Sequence, residues 1–152
     1  MRTDTEKGAD EMTAAFDGAT TNPVTMVLVT DQFECQRLIT AGRRLADEAG
    51  NSLAVINVSA AGSERNHQAL EHLFCVSREN GATMMIHYSD NPAHFISGLI
   101  RDQAPMQVVT GLPNQEHSLL HRIWTRFTKV AFYTVDPDGA LSLVTRKDWI
   151  TV

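Results

Sequence analysis

The stretch VTMVLVTDQFECQRLITAGRRLADEAGNSLAVINV, residues 24–58, decides the fold. It opens on an apolar run of strand length, Val24 to Thr30, and closes on another, Ser52 to Val58. Between them Cys35, Leu38, Ile39, Gly42, Leu45, Ala46 and Ala49 recur at i, i+3, i+4 and i+7 steps, which places one apolar stripe along a helix. Gly50 fits the C-terminal cap of that helix. Strands with so little polar alternation need cover on both faces, and a parallel sheet between two helix layers supplies it.

The same alternation continues outward. ATMMIHY (82–88), MQVVTG (106–111) and KVAFYTV (129–135) are further strand runs. A helical face with Leu70, Leu73, Phe74 and Ser77 closes at Asn80-Gly81. Asp90-Asn91-Pro92 starts the next helix, which faces inward with Ile96, Leu99 and Ile100. Leu119, Leu120, Ile123, Trp124 and Phe127 mark a fourth. Five strands joined by four helices predict an α/β fold, a doubly wound five-stranded parallel sheet of order 3-2-1-4-5 with helices on both faces. A ligand crevice is then expected beyond the C-terminal ends of strands one and four. Asp136-Pro137-Asp138-Gly139 is a turn signal, and ALSLVT (140–145) a short antiparallel strand returning along strand five. Residues 1–22, rich in Thr, Asp, Glu, Gly and Ala, read as a disordered N-terminal tail, and 23–152 as one domain.

Composition excludes several classes. Thirteen Lys and Arg against eighteen Asp and Glu leave a net charge of −5, which disfavours nucleic acid and anionic membranes as partners. No apolar run approaches the length needed to span a bilayer, and residues 1–22, without a continuous apolar stretch, are not expected to act as an export signal. Cys35 and Cys75 form no CxxC pair, so neither a disulfide framework nor a zinc knuckle is predicted, and a reducing, cytoplasmic setting is expected.

The run from VLV through C-x-R-L-I-x-x-G-x-x-L-A-x-E (Cys35 to Glu48), continued by RENGATMMIHYSDNPAHFISGLIRDQAPMQVVTG, resembles the universal stress protein family, in the style of the domain carried by potassium-sensor histidine kinases. The resemblance covers roughly residues 24 to 135. It implies an adenine-nucleotide crevice holding ATP or AMP, with an Asp at the end of strand one and a run G-x2-G-x9-G-[ST] after strand four, whose backbone amides and hydroxyl bind phosphates. Laid on this chain, those positions are Thr30-Asp31, Gly111, Asn114, Trp124 and Thr125. Asn114 tolerates a left-handed backbone, but Trp124 puts a large side chain where the family has glycine. The resemblance therefore implies a degenerate nucleotide site in a noncatalytic regulatory or protein-interaction module, with no cofactor expected. The alternative is a stress protein that binds ATP or AMP through Thr30, Asp31, Gly111, Asn114 and Thr125.

Each of these residues also has a simpler role. Asp31 reads as the N-cap of the first helix and Gly111 as a tight turn. Cys35, in the first helical turn, is a candidate redox thiol or nucleophile for a thiol-dependent enzyme, or a small buried hydrophobe. His117 and His121, four apart with Glu116 beside them, lack a third ligand at metal-site spacing and read as a solvated helix face. His87 and His94 read as ordinary polar positions, and Arg122, Arg126 and Lys129 as a basic helix exit. A protein partner, or a second copy meeting through strand five or the hairpin, is the interaction expected.

Overall fold

A computed structural model describes residues 23–60, 62, 64–112 and 119–144; the expected tail, 1–22, lies outside them. Six strands form one sheet: β1 (Val24–Val29), β2 (Ser52–Ser59), β3 (Thr83–Tyr88), β4 (Gln107–Gly111), β5 (Ala131–Val135) and β6 (Leu141–Leu143). The helices are α1 (Gln36–Ala49), α2 (His67–Glu79), α3 (Pro92–Gln103) and α4 (Leu119–Arg126), and a short 3-10 turn, Phe33–Cys35, precedes α1. The sheet order is β3-β2-β1-β4-β5-β6, as predicted for the first five strands. Val27 sits level with Val55 on one side and Val109 on the other, all parallel. β6 runs antiparallel to β5, pairing Tyr133 with Leu143 and Val135 with Leu141, so along these residues the far side of β5 is already taken within the chain.

The sheet separates two apolar layers, as alternation along buried strands requires. On one face Leu38, Ile39 and Leu45 of α1 and Leu70, Leu73 and Val76 of α2 pack on Val27, Val55 and Val109. On the other Ile96 and Ile100 of α3 and Ile123 and Trp124 of α4 pack on Met26, Ile56, Val108 and Phe132. Two residues of the predicted apolar faces are misplaced: Ala49, in the last turn of α1, is exposed, and so is Phe74 of α2. Phe74 is 43% exposed, and Val76 is buried in its stead. With Leu73 at the centre of the buried stripe, Phe74 lies 100° round the helix, whereas Val76 follows at i+3.

The ends of the helices follow local chemistry. Gly50 caps α1 in the left-handed conformation at φ 73°. Asn91, not Asp90, is the N-cap of α3: its side chain accepts from the His94 amide at 3.2 Å, with Pro92 at the first helical position. Asn91→Ala should cost about 1 kcal/mol of stability, read from the urea midpoint at unchanged slope. A loss below a few tenths would mean that the cap contributes nothing. At the N-terminal edge of the sheet the Thr25 hydroxyl accepts from Asn51 Nδ2 and Gln107 Nε2, each at 3.0 Å, and Gln107 also donates to the Leu45 carbonyl at 3.1 Å. These buried amides tie β1, β4 and the end of α1 together, because a buried donor left without an acceptor is costly.

After β5 the chain turns through Asp136-Pro137-Asp138-Gly139. The Asp136 carboxylate accepts from the amides of Asp138 at 2.9 Å and Ala140 at 2.8 Å, and Gly139 takes φ 88°, which suits glycine. That turn becomes part of the site described below.

Candidate ligand crevice

β1 leads to a helix on one face of the sheet and β4 to a helix on the other, so the two chains part beyond their C-terminal ends and leave a cleft. The register that pairs Val27 with Val109 puts Val29 level with Gly111, two residues on in each strand. Thr30, Asp31 and Gly111 therefore come together at this one end, as the sequence predicts. A Cβ built on Gly111 would find nothing nearer than 4.0 Å, so the backbone there is open to approach.

Asp31 is not a helix cap. Gln32 holds that position ahead of the 3-10 turn, extended and without a side-chain bond. Instead Asp31 Oδ2 accepts from the Asn66 amide at 2.6 Å, and Asn66 in turn caps α2 by accepting from Ala69 at 3.0 Å. The carboxylate thus closes one wall of the cleft by bracing the start of α2 against the end of β1, where negative charge meets the positive end of the helix. Asn57, 1% exposed, donates to the Val29 carbonyl at 3.0 Å and supports the same end of β1.

Thr125 is placed elsewhere. It lies at the C-terminal end of α4, just before the chain enters β5 at the opposite edge of the sheet, and its exposed hydroxyl donates to the Arg122 carbonyl at 3.0 Å. Trp124 beside it is 5% exposed and belongs to the core under α4. Phosphates are held at helix N-termini, where amides point outward, while a C-terminal turn presents carbonyls that repel them. Asn114, Glu116 and His117 lie outside the described residues, as does the His121 side chain. Among the described residues no group of three His, Cys, Asp or Glu is placed to hold a metal ion, and no helix is long and apolar enough to cross a membrane.

Cys35 is 5% exposed within the α1 core, its sulfur 3.4 Å from the Thr30 hydroxyl. A hydroxyl is no base for a thiol, and burial limits access, so the geometry favours the small buried side chain over the nucleophile. Two arginines that sequence patterning passed over shape the surroundings. Arg65 donates to the His87 carbonyl at 2.9 Å and stands 3.5 Å from the centre of the Tyr88 ring. Arg37 donates through Nε to the Asp136 carbonyl and through Nη1 to the Glu34 carbonyl, both at 2.8 Å, while Nη2 comes 4.0 Å from the Cβ position of Gly111. The signal for Arg37 was its place in the first turn after β1, which carries it to the sheet end where ligands collect.

No protein-family model and no curated protein matches this sequence. Solved structures do match the fold, universal stress proteins among them. One from Burkholderia pseudomallei has a TM-score of 0.52 at 14% identity, over 75% of this chain and 96% of that one. A universal stress protein in complex with cAMP has a TM-score of 0.59 at 11% identity, over 78% and 99%. The protein from Archaeoglobus fulgidus in complex with dAMP has a TM-score of 0.54 at 15% identity, over 76% and 97%. The chain therefore has the universal stress protein fold, with an antiparallel strand, β6, at the β5 edge.

Proposed function

We propose that this protein is a noncatalytic regulatory module of the universal stress protein type, acting through contacts with a protein partner, whose crevice has lost the phosphate grip of nucleotide-binding relatives. The observation that carries this reading is the placement of Trp124 and Thr125, onto which the family's phosphate run counts its last glycine and hydroxyl: both lie at the C-terminal end of α4, Trp124 packed in the core and the Thr125 hydroxyl bonded to its own helix. A side chain committed to the core cannot make way for a phosphate without exposing its apolar surface.

The test is thermal unfolding with millimolar ATP, AMP or cAMP and magnesium. A ligand at a hundred times its Kd adds about 2.7 kcal/mol, which for a domain of this size raises Tm by several degrees. The expected shift is below about one degree, well under that scale. A shift of several degrees would overturn the proposal.

A second reading, an adenine-nucleotide binder, draws on the convergence of Thr30, Asp31 and the open backbone of Gly111 at the cleft, and on the cAMP and dAMP held by two proteins of this fold. On that reading the stabilisation seen with nucleotide is abolished in Gly111→Leu. Stabilisation that survives the substitution would place the nucleotide elsewhere.

A further inference from the structure

One flank of α1 continues the line of the 3-10 turn. Phe33, Arg37, Thr40, Ala41 and Arg44 follow one another at i, i+4, i+7, i+8 and i+11, so they share one stripe. This stripe faces Pro137 and Gly139 of the turn after β5, and the two flank a solvent-open cavity of about 510 Å³. That volume lies within the range of small-molecule sites. The turn is a stiff wall, because the Asp136 carboxylate ties down two of its amides and Arg37 clamps its carbonyl from across the cavity.

The lining is unlike the rest of the chain. Overall charge is −5, yet this cavity carries two guanidinium groups against the single carboxylate of Glu34. The ion pairs of the described residues are Arg43 with Asp47 and Arg101 with Asp102. Among those residues, then, neither Arg37 nor Arg44 meets a carboxylate at ion-pair distance. Arg37 is oriented by neutral carbonyls, which fix its fork without cancelling its charge. Arg44, two helical turns along, is exposed on a flexible stem and free to close on an anion. Phe33, 44% exposed, and Pro137 offer flat apolar surface beside the charges.

We infer that this cavity binds a small organic anion: a phosphate or carboxylate group met by Arg37 and Arg44, carried on a flat apolar body that lies against Phe33, Ala41 and Pro137. Guanidinium forks match the planar oxygens of both head groups. The ligand would bridge α1 and the turn after β5, and so hold the β5–β6 hairpin against the helix.

Calorimetric titration of the full chain tests this with three probes: phenyl phosphate, benzoate, and uncharged phenol. Saturable binding of at least one anion is expected, with none for phenol at the same concentrations, and the better anion names the head group. Arg44→Glu should weaken that binding tenfold or more. Glu34→Gln, which removes the opposing carboxylate, should strengthen it at least twofold. Arg122→Glu makes the same charge change on the opposite side of the sheet and should alter affinity less than twofold. Arg44 is exposed, so its variant is expected to fold, which its unfolding transition will verify. No saturable binding of either anion, equal binding of phenol, or equal losses in the Arg44 and Arg122 variants would overturn the inference. A nucleotide seated in the β1–β4 cleft would keep its affinity in Arg44→Glu, so the two sites are told apart.

Discussion

Trp124→Gly is expected to lower the unfolding free energy by about 4–6 kcal/mol and to leave the protein as indifferent to ATP as before. Trp124 is 5% exposed and sits among Ile100, Ile123 and Phe132 in the layer beneath α3 and α4. Emptying a site of this size costs about 3–5 kcal/mol, because the surrounding side chains collapse only in part. Glycine inside a helix adds about 1 kcal/mol through backbone entropy. Total stabilities of domains are about 5–15 kcal/mol, so the variant should be partly unfolded at moderate urea concentrations. Urea denaturation followed by far-ultraviolet dichroism measures the loss, and Trp124→Phe should recover most of it. A cost under about 1 kcal/mol would show that the indole is not a core group. The reading of an emptied nucleotide site would then lose its carrying observation.

Gly42→Val should destabilise the protein by about 3 kcal/mol, the upper end of the cost of overpacking. The helix crosses the sheet at this residue. A Cβ placed there would lie 2.5 Å from Val27 Cγ2 and 3.2 Å from Leu53 Cδ1, well inside the normal carbon–carbon separation. Val27 is fully buried and stiff at its branched Cβ, so it has nowhere to turn. Gly42→Ala isolates the contact: an exposed helix position would gain about 1 kcal/mol from this change, whereas here the close approach should reverse the sign. Combining Gly42→Ala with Val27→Ala opens space for the new methyl, and the double-mutant cycle should show coupling of at least about 1 kcal/mol. Additive effects would mean that α1 and β1 do not meet at Gly42.

The strands and helices were legible because burial leaves a local imprint. Val24 to Val29 and Ser52 to Ser59 lie in the middle of the sheet, so most of their side chains are apolar, and the stripe on α1 repeats at helical spacing. The Asp136–Gly139 turn and β6 carry short-range signals of the same kind. The site was legible only in outline. Thr30, Asp31 and Gly111 could be placed at one end of the sheet because the residues that follow neighbouring parallel strands gather there whatever their side chains. Asp31 was given the wrong local role, since its acceptor oxygen is used by Asn66, 35 residues further along. Thr125 was assigned by counting along a motif, and counting does not register that α4 turns residues 124 and 125 toward the wrong end of the sheet.

The sequence by itself determined the alternation of strands and helices, the sheet order and the two apolar layers, since these depend on periods of two and 3.6 residues and on the hand of the crossovers. Only the tertiary structure decided what meets at the sheet end. Arg37 clamps the Asp136 carbonyl 99 residues away, and Trp124 is spent on the core. Such pairings depend on where a helix crosses the sheet and on how a hairpin folds back over its edge. Those distances are fixed by packing across the whole domain, and no local period records them.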